Sequence, residues 1–304
     1  MYIMCKNYFI SIVCIILLLT VSLAVSAQTR RALVIGIGQQ EDKGWGKING
    51  DRDVSLVEEM LKNAKFKMGN VKKLVNQQAT KAAIVNALKS LASQSKHGDI
   101  VYVHFSGHGQ QMKDVHNDEK DGLDECWIPY DAYRKPCEKD RGEKHLTDDE
   151  VNYYLNAIRD KIGDSGKMLV VIDACHSGDA TRGDEDEVVR GVEDIFEAIK
   201  SFIWGTSKEG DKKDVANPNA KENKERWITL SACKSDQVNI EMKSPAVGKL
   251  TYAIYNKVKE NTGNDNYDFI RRIRKFVNSN TGSRPQYPEM TGEIDRYRIT
   301  DIIQ

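Results

Sequence analysis

The chain has 304 residues, with 45 Lys and Arg against 45 Asp and Glu. That balance excludes the basic surplus which an electrostatic nucleic-acid binder gathers into a patch, and six cysteines in a chain this long exclude a disulfide scaffold. The length suits one large α/β domain or two small ones and is ample for a core.

In chain order, Lys6 precedes an apolar run over residues 8–25 that closes on Val25-Ser26-Ala27. Small residues at the last and third-last positions predict a secretory signal peptide cleaved after Ala27, with the mature domain spanning 28–304. A retained anchor is the alternative, weakened by the lack of a basic cluster close behind the run. A lipoprotein fits less well, since Cys14 lies inside the run behind Val13. The expected location is periplasmic or extracellular, with no membrane span in the mature chain. Cys5 and Cys14 leave with the leader; Cys126, Cys137, Cys175 and Cys233 remain, without metal-binding spacing.

Arg31-Ala-Leu-Val-Ile-Gly-Ile predicts a strand, and the amphipathic stretch 53–63 a helix. The alternation repeats with a strand at 71–75, a helix at 80–93 capped by Thr80, and a buried strand at 99–107 ending in glycine. A polar loop is expected over 108–147, a helix over 148–161 and a β-branched strand over 168–174. Apolar residues at 188, 192, 195, 196, 199, 202 and 203 share one helical face, so 188–204 reads as a helix. The charged stretch 205–226 reads as a flexible linker. A strand at 227–232 and helices at 249–259 and 267–278 complete the set. Strands separated by helices imply a doubly wound α/β fold, its mostly parallel sheet of six strands covered by helices on both faces. Chemistry then belongs beyond the carboxyl ends of the strands.

Two motifs stand there: Phe105-Ser106-Gly107-His108-Gly109 and Ile172-Asp173-Ala174-Cys175-His176-Ser177-Gly178. A thiol is mostly protonated at neutral pH, and an imidazole can act as its base. Cys175 is therefore the candidate nucleophile and His108 its base. The flanking glycines let backbone N–H groups approach an oxyanion, with Gly109 and Cys175 as the natural donors. His104, inside the strand, reads as structural, and His176 is ambiguous.

Through Ser106-Gly-His-Gly, Asp173-Ala-Cys-His-Ser-Gly and Ser231-Ala-Cys-Lys-Ser-Asp-Gln, residues 31–292 resemble the metacaspase branch, of bacterial type, of the caspase-like peptidases. The resemblance implies a caspase-like fold and a cysteine endopeptidase using the His108–Cys175 dyad through an acyl-enzyme, with no cofactor required for the chemistry. It also implies a pocket made by Asp53, Ser106 and Asp173 for substrate Arg or Lys before the scissile bond, because paired carboxylates call for a cation. A helix N-cap is the alternative for Asp53. The acids in 118–125 and 147–150 suit Ca²⁺, and Asp124, Asp148 and Asp149 match ligand positions of calcium-activated metacaspases, with Asp179 or Asp184 as the candidate fourth. A solvated acidic loop is the alternative there. Protein or peptide substrates are the expected partners, with self-cleavage expected among the basic residues of the linker. Two rival readings are a catalytically silent binding module on the same fold and a Cys-His hydrolase or transferase acting on a non-peptide acyl group.

Overall fold

A strand apolar at every position faces water on neither side, so its place is in the middle of a covered sheet. A computed structural model, which describes residues 28–114, 122–175, 187–192, 194–197, 225–234, 237–260, 265–280 and 284–304, has this arrangement. The expected leader lies outside those residues. The chain runs β1 (Arg30–Gly36), α1 (Gly50–Asn63), β2 (Val71–Val75), α2 (Lys81–Gln94), β3 (Ile100–Ser106), β4 (Gly109–Lys113), β5 (Leu123–Trp127), β6 (Leu146–Thr147) and α3 (Asp148–Ile162). It continues as β7 (Lys167–Asp173), β8 (Ile228–Ser231), β9 (Glu241–Met242), β10 (Val247–Gly248), α4 (Lys249–Lys259), α5 (Asn266–Ser279), β11 (Glu289–Gly292) and α6 (Thr300–Ile303).

The main sheet has six strands in the order β11-β8-β7-β3-β1-β2, parallel except for β11. Its side chains alternate between two cores. Leu33, Ile35, Val101, Val103, Phe105 and Val170 pack on Ile84 and Leu88 of α2 and Leu155 and Ile158 of α3. Ala32, Val34, Tyr102, Leu169 and Val171 face Val57 and Leu61 of α1, Leu250 and Ile254 of α4, and Ile273 of α5. Each fully buried aliphatic side chain contributes about 1.5–3 kcal/mol, and Leu88→Ala at a fully buried position costs about 2–5 kcal/mol through the cavity it leaves. Hydroxyls begin two helices: Thr80 Oγ1, the cap expected from the sequence, accepts from Ala83 N–H at 3.2 Å, and Thr147 Oγ1 accepts from Glu150 N–H at 3.3 Å.

Two sequence expectations fail. The stretch 108–147 is not one polar loop, since β4, β5 and β6 form an antiparallel sheet of their own. Their alternation is short and interrupted, and Cys126 and Trp127 are buried by partners that lie elsewhere in the chain. The described part of the expected helix over 188–204 is extended instead, with bridges from Val189 to Ile240, Gly191 to Gly109 and Phe196 to Met112. Val192 and Phe196 bury themselves among Trp45, Met112, Cys126 and Ile128, and this tertiary packing overrides the helical period. Residues 193 and 198–204, and almost all of the expected linker, lie outside the described residues.

Candidate active site

Strands β3 and β7 run in parallel register with Ser106 opposite Asp173. Two residues beyond that pair, at the carboxyl edge of the sheet, come His108 and Cys175, both buried. A carbonyl oxygen only accepts, so the 2.7 Å contact from His108 Nε2 to the Gly46 carbonyl puts the imidazole proton on Nε2. Nδ1 is left with its lone pair, buried and with no hydrogen-bond partner among the described residues. Burial pushes the imidazole down to about 4 against the Gly46 hydrogen bond, and the Arg190 and Arg134 cations push the same way. His108 is therefore neutral at neutral pH and able to take a proton on Nδ1. Trp45 lies against its ring, centroids 5.0 Å apart. The Cys175 thiol donates to the Gln237 carbonyl at 2.9 Å, as does Cys233 at 3.4 Å. None of the four described cysteines forms a disulfide.

The two backbone donors named from the sequence converge on one oxygen. Cys175 N–H donates to the Arg190 carbonyl at 3.0 Å and Gly109 N–H donates to it at 3.2 Å. A carbonyl held between two N–H groups beside a thiol is the geometry that acyl transfer requires of its electrophile.

The side chain of the same residue fills the pocket. Arg190 is wholly buried, with Nη2 2.8 Å from both Asp53 Oδ2 and Glu241 Oε1 and Nε 2.9 Å from Glu241 Oε1. Nη1 donates to Ser106 Oγ at 2.5 Å and lies 3.5 Å from Asp173 Oδ1. Asp53, Ser106 and Asp173 thus meet around the Arg190 guanidinium, and Glu241 joins them. Asp53 caps nothing: it stands inside α1, four residues beyond the capping position at Asn49, and accepts from Ser106 Oγ at 2.5 Å and Gly248 N–H at 2.9 Å. Asp173 is the more distant acid, spoken for by Asn239 Nδ2 at 2.8 Å, Thr251 N–H at 2.8 Å and Thr251 Oγ1 at 2.6 Å.

The electrostatics follow from burial. Burial pushes the Asp53 carboxyl up to about 6 against the pull of the Arg190 guanidinium, with Asp173 adding like-charge repulsion. Burial works to raise Asp173 too, but Arg190 and the hydrogen bonds from Thr251 and Asn239 outweigh it and hold the carboxyl below its usual range. Burial opposes the charge on Arg190, and the three acids overcome it and raise the guanidinium. Three buried carboxylates without a cation would be costly, and here the Arg190 guanidinium supplies that cation.

Sequence reasoning missed Glu241 and Gly248, and no motif surrounds either. Asn49 holds Glu241 through its backbone N–H, 2.7 Å from Oε1, and through its side-chain amide. A Cβ on Gly248 would lie 2.2 Å from Asp173 Oδ2, 2.7 Å from Asp53 Oδ2 and 2.7 Å from Arg190 Nη1. His104 is structural as expected, buried with Tyr102 Oη 2.9 Å and Thr251 Oγ1 3.3 Å away.

The proposed cation ligands are all hard oxygens. Asp124 on β5 and Asp148 at the start of α3 both act on the buried Cys126 thiol, which burial first and these charges next push well up. Asp149 follows in the first turn of α3. Among the described residues no group of three or more His, Cys, Asp or Glu is arranged to hold a metal ion. Asp118, Asp121, His176, Asp179 and Asp184 lie outside the described residues.

The family described as Caspase domain matches residues 29–297. Metacaspase-1A of Aspergillus oryzae is 26% identical over 294 residues, covering 85% of this chain and 67% of that protein. Metacaspase-1B of Neurospora crassa is 25% identical over 291 residues, covering 84% and 65%. The chain thus spans about two thirds of the length of these two relatives. Among solved structures, a protein of Geobacter sulfurreducens superposes with a TM-score of 0.62 at 22% identity over 91% of this chain and 100% of that one. Caspase-1 of Spodoptera frugiperda superposes with a TM-score of 0.56 at 12% identity, covering 88% of each chain. These two likenesses concern the fold. Among the described residues no helix is long and apolar enough to cross a membrane.

Proposed function

The chain belongs to the caspase-domain family of cysteine endopeptidases, and within that family we propose that it cuts peptide bonds after Arg or Lys, with Cys175 as nucleophile and His108 as base. The observation that carries this reading is the buried Arg190, whose guanidinium meets Asp53, Glu241 and Ser106 while its carbonyl accepts from Cys175 and Gly109. The thiol proton passes to His108 Nδ1 as Sγ bonds to the carbonyl carbon. The Cys175 and Gly109 N–H groups hold the oxyanion, and His108 returns the proton to the departing amine. Water then cleaves the thioester by the same base. The dyad completes this cycle with side chains of the chain alone, so no cofactor is needed for the bond changes.

Two parts of the proposal rest on sequence. Residues 1–27 direct export to the periplasm or the outside of the cell, which a mature protein beginning at Gln28 would support. Asp124, Asp148 and Asp149 contribute to a site for Ca²⁺ as activator. The deciding experiment maps cleaved bonds in a mixed peptide pool by mass spectrometry, with Cys175→Ala protein as control. Cuts after Arg and Lys are expected; cuts after Asp, or equal cutting by the control, would overturn the reading.

A further inference from the structure

The residue in the pocket is part of this chain, and the segment around it lies along the cleft as a peptide does. On the near side, Val188 to Arg190 pair antiparallel with 239–241: Arg190 N–H donates to the Asn239 carbonyl at 2.9 Å and Glu241 N–H to the Val188 carbonyl at 2.9 Å. This is recognition by strand addition, in which main-chain bonds align a peptide and a side-chain pocket selects it. On the far side, the chain runs beside β4: Phe196 N–H donates to the Gln111 carbonyl at 2.8 Å and Lys113 N–H to the Phe196 carbonyl at 3.2 Å. Gln110 Nε2 reaches the Asp194 carbonyl at 2.7 Å. Phe196, wholly covered, and Val192 anchor this side in the small core beneath the cleft.

Between the two halves stands Gly191. A Cβ there would lie 2.5 Å from the Cys175 carbonyl oxygen and 3.1 Å from Cys175 Cβ, so the residue after Arg190 must be nearly without a side chain for the chain to pass the Cys175 backbone. Three requirements therefore coincide at one bond: a cation in the acidic pocket, a carbonyl between two N–H donors and a glycine against the nucleophile.

We propose that Arg190–Gly191 is the bond this enzyme cuts in itself, and that until the cut the stretches 188–192 and 194–196 keep other substrates out of the cleft. The inference rests on the peptidase reading above and moves self-cleavage from the stretch 205–226 to a defined bond. Cys175 Sγ bonds to the Arg190 carbonyl carbon as its proton passes to His108; the C–N bond to Gly191 breaks, and the amine leaves with that proton. Water then hydrolyses the thioester, giving an Arg190 carboxylate and restoring the thiol. Net, one peptide bond and one water become one carboxyl and one amino terminus. The reacting groups are held together within one chain, so the step is first order.

The test uses the purified protein with and without added Ca²⁺, read by intact mass and N-terminal sequencing over time. Wild type is expected to yield a new terminus beginning Gly191-Val192, with a rate constant unchanged on roughly tenfold dilution. Cys175→Ala yields none. Arg190→Lys is still cut, whereas Arg190→Gln and Gly191→Val slow the cut by about a hundredfold or more. Arg190→Gln, which keeps its segment uncut, cleaves Arg-containing peptides in trans far more slowly than wild type does after its own cut. Trans cleavage of Arg peptides by a wild-type chain that stays whole, or is cut only within 205–226, overturns this inference and leaves the peptidase reading standing. Failure of both self-cleavage and trans cleavage in wild type and Arg190→Gln overturns the peptidase reading itself.

Discussion

Glu241 grips Arg190 by the edge of its guanidinium, Oε1 lying 2.9 Å from Nε and 2.8 Å from Nη2. Lysine has no Nε–H to offer there, and hydrogen bonds to charged groups are worth about 1.5–3 kcal/mol. Glu241→Gln should therefore lower kcat/KM for Arg peptides by roughly ten- to a hundredfold and for Lys peptides by less. Matched Arg and Lys substrates decide it, and an equal loss on both would remove the edge contact from the account of specificity.

Gly248 keeps the pocket open, since a methyl group there would meet the carboxylates of Asp173 and Asp53. Gly248→Ala is expected to cut the rate on Arg peptides by at least about tenfold, chiefly through KM, as lost binding of a charged group predicts. Circular dichroism should show an unchanged fold. Normal KM in a folded variant would mean that substrate side chains bind elsewhere.

Cys175→Ala and His108→Ala should each lower kcat by about a thousandfold or more, and the double variant by little beyond either, because the two act as one unit. Substantial turnover by Cys175→Ala would sink the nucleophile assignment.

Stability should fall with acid in a defined window. Burial is the first cause pushing His104 and His108 down to about 4 and His145 down to about 3. Between pH 6 and 5 the unfolded chain binds protons on these three that the folded chain refuses, so stability rises with pH. Asp53, raised to about 6, works the other way by one proton, and three less one leaves two. At about 1.4 kcal/mol per proton per pH unit, the loss from pH 6 to 5 is about 3 kcal/mol. Thermal melts should show Tm lower at pH 5 than at pH 7, and an equal or higher value at pH 5 would contradict the burial account.

If Asp148 serves a calcium site, a chelator should slow peptide cleavage several-fold, and Asp148→Ala protein should respond to neither chelator nor added Ca²⁺. Equal wild-type rates in both conditions would leave the acidic loop as surface.

The sequence by itself determined the sheet and placed His108 and Cys175 at its carboxyl edge. Runs such as Ile100 to Phe105 are buried throughout, and a short apolar run bounded by glycine admits few other placements. The His108 and Cys175 motifs follow their strands within two residues, so strand register alone brings both to the same edge of the sheet. What the tertiary structure decided depends on residues far apart in the chain. Residues 188–196 carry a helical period, yet the described stretches 188–192 and 194–196 are extended because the cleft offers Val192 and Phe196 a core and offers Arg190 three carboxylates. Glu241 and Gly248 carry no local mark, since their importance lies in sharing a few ångströms with Asp53, Asp173 and Arg190. A buried cation is stable only where several acids from different elements meet it, and that convergence is a property of the folded chain, not of any segment.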